Sequence, residues 1–161
     1  STSILPIAVA AAAAAPAAAP ASTTSTAWVS ATPGNAAFAA LNKWVTKKKA
    51  PALARRLDVA GSPPTINRDA YGNAFDGIRT PSVDRPIATL SGVGQTGTAF
   101  CSLFGTTVPF DSATLASLYT THSKYVAAVT KATSSAVKAG FLLNPDAKLI
   151  KDSAKASDVG N

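Results

Sequence analysis

The sequence predicts an α+β fold that is mostly α-helical. Apolar residues recur at helical spacing in the first half of the chain and again through its last third. Between these regions, residues 55–97 are rich in Gly and Pro and carry only short apolar runs, which predicts an irregular strand-and-turn segment. A chain of 161 residues is long enough to bury a single core.

The N-terminal segment, residues 1–34, has low complexity and precedes the predicted folded region, residues 35–161. Within it, residues 4–21 form an Ala-rich apolar run. A membrane span is disfavoured because alanine is weakly hydrophobic and three prolines interrupt the run. The run ends in Ala-Pro-Ala-Ser, which resembles a signal-peptide cleavage region; a basic n-region is missing, so the compartment stays open with a lean toward secreted or extracytoplasmic. We expect the run to pack along its own domain or a neighbouring one.

A first helix is predicted by the residues Phe38, Leu41, Trp44 and Val45. Their i, i+3, i+6, i+7 spacing places them on one helical face. The sequence Pro33-Gly34-Asn35 offers a turn and an N-cap, and Ala50-Pro51 ends the helix. We expect this aromatic face to belong to the core rather than to a ligand site.

Short strands are predicted in the segment that follows. The residues that indicate them are Leu57 and Val59, and later Ile87, Thr89 and Leu90. Closely spaced Gly and Pro residues around them are turn signals, so little helix is expected there.

The last third of the chain predicts a short helix and then a terminal helical hairpin. Asp111 is the expected N-cap of the short helix, and Gly140 ends the longer helix that follows. The inward residues of that longer helix are Tyr125, Val126, Val129 and Val137. Asn144 is the predicted cap of the final helix, with Pro145 at its first position. The connection is short, which makes the two helices antiparallel neighbours.

The charge pattern does not indicate a nucleic-acid partner. The formal net charge is +7, but the basic residues are scattered except for Lys47–Lys49 and Arg55-Arg56. Nucleic-acid binders concentrate such charge and interleave aromatic residues for stacking. We expect a solvated basic helix end, with a phosphate-binding patch as the alternative.

The sequence offers no metal or cofactor motif. Cys101 is the only cysteine, so an internal disulfide is excluded, and its apolar neighbours predict a buried, inert thiol. Neither CxxC nor HExxH occurs. We therefore predict neither a metal nor a cofactor.

A complete serine-hydrolase site is not found either. Such a site needs a nucleophile, a base, an orienting acid and an oxyanion hole, and the G-x-S-x-G nucleophile elbow does not occur in the chain. His122 is the only histidine and stands at a predicted helix start, where it tends to stay neutral or cap the turn. We expect a structural role for His122, with a catalytic base as the alternative.

A polar loop carries the remaining candidates, which are Arg68, Asp69, Arg79 and Asp84. These side chains can form an ion-pair network that ties the loop down, with at least one arginine buried. They can instead line a pocket for an acidic or carbonyl-containing ligand. The planar donor fork of arginine suits both roles.

Long motifs run through residues 35–161. They include Arg68-Asp-Ala-Tyr-Gly-Asn-Ala, Gly77-Ile-Arg-Thr-Pro-Ser-Val-Asp, Pro86-Ile-Ala-Thr-Leu-Ser-Gly and Leu118-Tyr-Thr-Thr-His-Ser-Lys-Tyr-Val. These motifs closely resemble a bacterial family called alpha/beta hydrolase domain-containing proteins. The resemblance implies the C-terminal portion of an α/β-hydrolase-like protein, whose nucleophile and histidine lie upstream. Residues 1–34 do not resemble that upstream region, so no catalytic residue is carried over.

Three hypotheses of function follow from the sequence. The first is a C-terminal fragment or subunit of an esterase-like, carboxylic-ester serine hydrolase, partnered by an upstream hydrolase core or another protein chain. It would complete the fold and cleft without supplying the nucleophile. The second is a non-enzymatic structural or interaction module in an assembly. The third is an esterase that uses His122 as its own base.

Overall fold

The computed structural model describes residues 26–100 and 105–161, with side chains from Thr32 onward. Its elements in chain order are α1 (Thr26–Lys47), β1 (Val59–Ala60), β2 (Thr65–Ile66), α2 (Pro81–Asp84), β3 (Ala88–Ser91), β4 (Thr106–Pro109), α3 (Ser112–Leu118), α4 (His122–Ala139) and α5 (Asn144–Lys155). Helices predominate and the strands are short, which confirms the α+β, mostly helical prediction. The run at residues 4–21 and Cys101 lie outside the described residues, so the expectations for both stay predictions.

Helix α1 is longer than predicted. It begins at Thr26 and runs through Pro33 and Gly34, where the sequence predicted a turn, and it crosses the predicted boundary at residue 34. Proline removes one hydrogen bond from a helical ladder, but the alanines on either side of Pro33 are the strongest helix formers. Their preference offsets part of the cost of Pro33 and Gly34, which is about 3 kcal/mol for a proline and about 1 kcal/mol for a glycine inside a helix. The domain boundary itself stays a prediction.

The apolar face of α1 is exposed, so its assignment to the core was wrong. Exposed fractions there are 75% for Phe38, 49% for Leu41, 51% for Trp44 and 67% for Val45. The helix instead buries small residues, Thr32 and Ala36, one turn apart on the other side. Next to them, Asn35 donates from Nδ2 to both carboxylate oxygens of Asp146, at 3.2 and 3.3 Å.

Two small antiparallel sheets are formed by the strand-and-turn segment and the residues that follow it. In the first, β1 pairs with β2 and places Val59 opposite Ile66; in the second, β3 pairs with β4 and places Ala88 opposite Pro109. Strands at Val59 and at Thr89 were predicted. The partner strands β2 and β4 were not, because β2 has only two residues and β4 ends in a proline, which weakens a strand pattern.

One face of the first sheet is an exposed apolar surface, which we call the strand patch and define as Leu57, Val59 and Ile66. Val59 and Ile66 are directly paired, and Leu57 lies two residues before Val59, in an isolated bridge with Asp76. Their exposed fractions are 47%, 53% and 42%. Contiguous exposed apolar groups of this kind are typical of a contact surface.

The terminal helical hairpin is present as predicted. Helices α4 and α5 pack together, and Ala154 near the end of α5 clusters with Tyr125 and Val129 near the start of α4. Ala147, at the start of α5, clusters with Ala136 at the end of α4, so the helices are antiparallel. None of the helices in the described part of the chain is long and apolar enough to cross a membrane.

The helix ends follow the predicted chemistry with one shift. The Asp111 carboxylate accepts a hydrogen bond from the Thr114 backbone N–H at 2.7 Å, and Gly140 ends α4 with a left-handed φ of 84°. The cap of α5 is Leu143 rather than Asn144. Leu143 has the extended backbone of a cap residue, whereas Asn144 is already helical.

Tyr119 joins the hairpin core to the strand-and-turn segment. Its ring meets that of Tyr125 edge-on with centroids 4.8 Å apart, and its hydroxyl donates to the Pro86 carbonyl at 3.0 Å. Burial raises the pKa of Tyr119 from 10.0 to about 12; the nearby Tyr125 adds to this effect and Arg85 opposes it.

The stability supplied by Tyr119 should therefore be lost in alkali. The pKa is higher in the folded state, so this contribution is fully present below pH 10, where the unfolded side chain titrates, and is lost as the pH rises towards about 12. The free energy of unfolding, measured in urea for the protein and for Tyr119→Phe, should show the difference between them shrinking over this range. A constant difference up to the folded-state pKa would contradict the prediction.

Candidate functional site

Arg79 is the centre of the polar loop. Its Nε donates to Asp84 Oδ1 at 2.6 Å, and its Nη2 donates to Asp69 Oδ2 at 3.4 Å. The remaining contacts are to backbone carbonyls, those of Ala74 at 2.5 Å and Val83 at 3.1 Å. The Arg79 side chain is 27% exposed, so most of the guanidinium is turned towards the protein.

The two aspartates hold the charge of Arg79 in place. Burial, the largest single influence, lowers the pKa of the guanidinium, but the hydrogen bonds and charges of Asp84 and then Asp69 outweigh it, so the pKa is raised. Asp69 also uses its second oxygen, Oδ1, to accept the backbone N–H groups of Tyr71 at 3.0 Å and Asn73 at 2.9 Å. Asp69 therefore fixes the turn as well as the arginine.

Arg68 does not join this network, contrary to one of the predicted arrangements. It is exposed, and it donates to the Gly72 carbonyl at 2.7 Å and to Ser91 Oγ at 3.2 Å. The structure thus brings together Asp69, Arg79 and Asp84 and leaves Arg68 beside them. Because the three charged groups bond one another and the backbone, the geometry supports an ion-pair network that fixes the loop. The ligand-binding alternative stays a prediction.

Asn73 is the residue of this loop that the sequence interpretation missed. Its side chain is 1% exposed; Nδ2 donates to the Ala88 carbonyl at 3.2 Å, and Oδ1 accepts the Leu90 backbone N–H at 2.8 Å. Both partners belong to β3, so Asn73 acts as an additional hydrogen-bonding edge for that strand. In the sequence it follows Gly72 and reads as an ordinary turn residue, which gave no signal of burial.

His122 is the first residue of α4, and it contacts the C-terminal residues of the chain. Its Nδ1 lies 3.0 Å from the Val159 carbonyl and its Nε2 lies 3.2 Å from the Lys155 carbonyl, while its backbone N–H donates to the Gly160 carbonyl at 2.8 Å. The chain packs so closely that a Cβ on Gly160 would lie 2.5 Å from the His122 backbone nitrogen. Carbonyl oxygens only accept, so both ring nitrogens face acceptors and neither faces a hydroxyl nucleophile.

We expect His122→Ala to loosen the C-terminal segment. Two side-chain contacts to carbonyls would be lost, which should cost about 1 kcal/mol in the free energy of unfolding and speed amide exchange in residues 158–161. Urea unfolding with hydrogen exchange measures both. Lys124→Ala, which changes an exposed side chain in the same turn, is the matched control. Identical exchange in the two variants would show that His122 does not hold the segment.

An open groove of about 470 Å³ lies between α4 and α5. Within it, Ser134 Oγ accepts from Lys151 Nζ at 3.2 Å and donates to the Thr130 carbonyl at 2.9 Å. Lys148 pairs with Asp152 at 2.6 Å. Lys151 is a hydrogen-bond donor to Ser134 rather than a base that removes its proton, so Ser134 and Lys151 do not form an activated nucleophile.

Comparison with known proteins agrees with the class that the sequence motifs indicate, a region of hydrolase-like fold. The family model described as the alpha/beta hydrolase domain matches residues 4–152, and the chain belongs to that family. The match starts further toward the N terminus than the resemblance over residues 35–161, so it includes the Ala-rich run. No curated protein and no solved structure matches the chain.

Proposed function

We propose that this chain is the C-terminal part or a processed subunit of an esterase-like hydrolase that acts on carboxylic esters. It completes the fold and the cleft and does not supply the nucleophile. The observation that carries the proposal is His122, the only histidine, whose two ring nitrogens both face backbone carbonyls. The sequence also has no G-x-S-x-G elbow. The nucleophile and base of acyl transfer would then come from an upstream core or another chain.

The strand patch supports the part of the proposal in which this chain packs against an upstream core or another chain. Leu57, Val59 and Ile66 are each about half exposed, and Val59 and Ile66 share one face of a two-stranded sheet. Such a sheet is marginal by itself and gains stability when its apolar face packs against another layer. The Arg79 network holds the adjoining loop in one conformation, which would present a rigid edge to that layer.

The experiment that tests the proposal begins with the protein from its source. Native and intact mass should show the chain within a longer polypeptide or bound to one. Val59→Asp should abolish that association, or the packing of the longer polypeptide, whereas Val108→Asp should not. Val108 is the matched control because it is an equally apolar, 60% exposed valine on the other sheet.

Two outcomes would overturn the proposal. The first is a native species of 16.2 kDa with no longer partner. The second is hydrolysis of a chromogenic short-chain ester by the isolated chain; loss of that activity in His122→Ala would identify His122 as the base, and survival would eliminate that mechanism.

The exposed surfaces also favour a second candidate, a non-enzymatic interaction module in an assembly. In that case the strand patch contacts a partner without any hydrolase core. An ester-hydrolysis assay of the native complex distinguishes the two, because the module predicts a complex that lacks ester hydrolysis altogether. A chain that stays monomeric at high concentration would count against the module.

A further inference from the structure

The C-terminal half of α1 is not buried against the rest of the described chain. After the buried Ala36, every residue of the helix up to Lys47 is exposed or partly exposed. We call the apolar surface of this half the α1 stripe and define it as Phe38, Leu41, Trp44 and Val45. At 100° per residue, these four residues share one side of the helix, opposite the side that buries Ala36. Each of them is about half exposed or more.

Lysines surround the end of the same helix. Lys43 and Lys47 lie on the side of α1 that does not carry the stripe, and two more lysines, at positions 48 and 49, follow directly after the helix. All four are exposed. The half-helix is therefore apolar on one side and cationic on the other side and at its end.

These lysines have no carboxylate nearby to neutralise them. The sequence contains no acidic residue before Asp58. Within the described ranges, the ion pairs closer than 4.0 Å involve other cations, and the carboxylate that contacts α1, that of Asp146, is buried and bonded to Asn35. The positive charge at the end of α1 is thus available to an external anion.

This combination of groups fits the surface of an anionic bilayer. A helix that lies in the plane of the interface has Trp, Phe and Leu on the face that enters the acyl chains and lysine on its polar face. The lysine ammonium groups then interact with lipid phosphates, and their long stems reach the headgroups from the polar face. A tryptophan such as Trp44 suits this depth, because its ring is apolar and its N–H is polar.

We propose that α1 binds the surface of a bilayer that contains anionic phospholipids. The α1 stripe enters the lipid, and Lys43 and Lys47–Lys49 bind the phosphate groups around it. A second copy of the chain fits this surface less well, because residues 26–57 of that copy would add the same lysines and no carboxylate. The inference does not depend on ester hydrolysis, and the strand patch remains the surface for the hydrolase core.

Sedimentation of the full chain with lipid vesicles tests the charge requirement. Binding to vesicles of equal parts phosphatidylcholine and phosphatidylglycerol should be at least about tenfold tighter than binding to phosphatidylcholine alone, since each lysine near an anionic surface contributes about fivefold. Salt at about 1 M, where the Debye length falls to about 3 Å, should weaken the binding by a similar factor. Equal binding to the two kinds of vesicle would contradict the proposal.

A variant with three lysines removed locates the binding site. Replacing all three residues of Lys47–Lys49 by glutamine should weaken binding to the anionic vesicles at least about tenfold. The matched control replaces three exposed lysines of α4 by glutamine, which leaves the same net charge, and it should bind at least about fivefold more tightly than the first variant. Its substitutions are Lys124→Gln, Lys131→Gln and Lys138→Gln. Equal losses in the two variants would show that only the overall charge acts, and would overturn the proposal.

The apolar contribution is tested by Phe38→Ser. Phe38 is 75% exposed, so its replacement leaves the folded chain intact while removing an aromatic ring from the lipid. Binding to the anionic vesicles should weaken at least about fivefold. Val108→Ser, which changes a 60% exposed valine on β4, should bind as the native chain does. Equal binding of the two variants would show that the stripe does not enter the lipid.

Trp44 reports directly on the stripe. In a Trp28→Phe background, Trp44 is the only tryptophan. Anionic vesicles should shift its emission to shorter wavelength, and lipids brominated in their acyl chains should quench it, because the ring leaves water. Sedimentation without either change would mean that another surface binds the vesicles. A shift that appears without vesicles and grows with protein concentration would assign the α1 stripe to a second copy. Either result would overturn the proposal.

The same sedimentation experiment on the protein from its source completes the test. If the chain is part of a longer hydrolase, that species should bind the anionic vesicles as the full chain does. Loss of binding there would show that the hydrolase covers the α1 stripe, which would contradict the lipid proposal. A source species of 16.2 kDa that binds the vesicles would instead overturn the proposed function and support lipid binding, so the two failures are distinguishable.

Discussion

Replacement of Asn73 by alanine is expected to lower the free energy of unfolding by about 3 kcal/mol. The Asn73 amide bonds two backbone groups of β3, the Ala88 carbonyl and the Leu90 N–H, in a site where the side chain is 1% exposed. Alanine cannot replace either bond, and a buried polar group without a partner costs about 1–3 kcal/mol. Equilibrium unfolding in urea, followed by circular dichroism, gives the value.

Asn67→Ala is the matched control for this prediction. Asn67 belongs to the same segment, but its amide donates to Asp58 Oδ2 at the surface, at 3.0 Å. Its loss should change the free energy of unfolding by about 0.5 kcal/mol or less. If Asn73→Ala were no more damaging than Asn67→Ala, Asn73 would not be what fixes β3 to the loop.

Replacement of Arg79 by alanine should cost about 2 kcal/mol in the free energy of unfolding. Asp69, 15% exposed, would lose its cation, and the carbonyls of Ala74 and Val83 would lose their donor. A fully dry network would lose about 3 kcal/mol or more, but Arg79 keeps 27% of its exposure, and water compensates in part. Urea unfolding of Arg79→Ala and Arg79→Lys should place the lysine variant between alanine and the native residue.

Arg55→Ala provides the comparison with a surface ion pair. Arg55 lies 3.3 Å from Asp76, yet its side chain is 83% exposed, so its removal should change stability by at most about 0.5 kcal/mol. Equal effects in Arg55→Ala and Arg79→Ala would mean that the loop is not held by its ion pairs. The ligand-binding alternative for this cluster would then gain support.

The sequence predicted part of the polar cluster because its chemistry is local. Asp69, Arg79 and Asp84 stand within a short, turn-rich loop that buries little apolar surface and therefore needs polar contacts. Asn73 could not be recognised in the same way. Its partners are 15 and 17 residues away on β3, and nothing in a single loop sequence indicates which turn residue will reach a strand.

The sequence by itself determined the elements whose causes lie within one or two helical turns. The Asp111 cap and the Gly140 end depend on side chains and dihedral angles next to the helix, and both appear where they were predicted. The hairpin of α4 and α5 follows from its short connection.

Only the tertiary structure decided which side of α1 is buried. Periodicity identified the face of α1 from Phe38 to Val45 as apolar, but the buried residues of α1 lie on another side. Next to them, Asn35 donates a hydrogen bond to Asp146, which is 111 residues away in the sequence. A helical pattern indicates which face is apolar, but it does not indicate whether another segment of the chain packs against that face. That choice depends on contacts between distant segments, which is why the caps could be predicted and the packing of α1 could not.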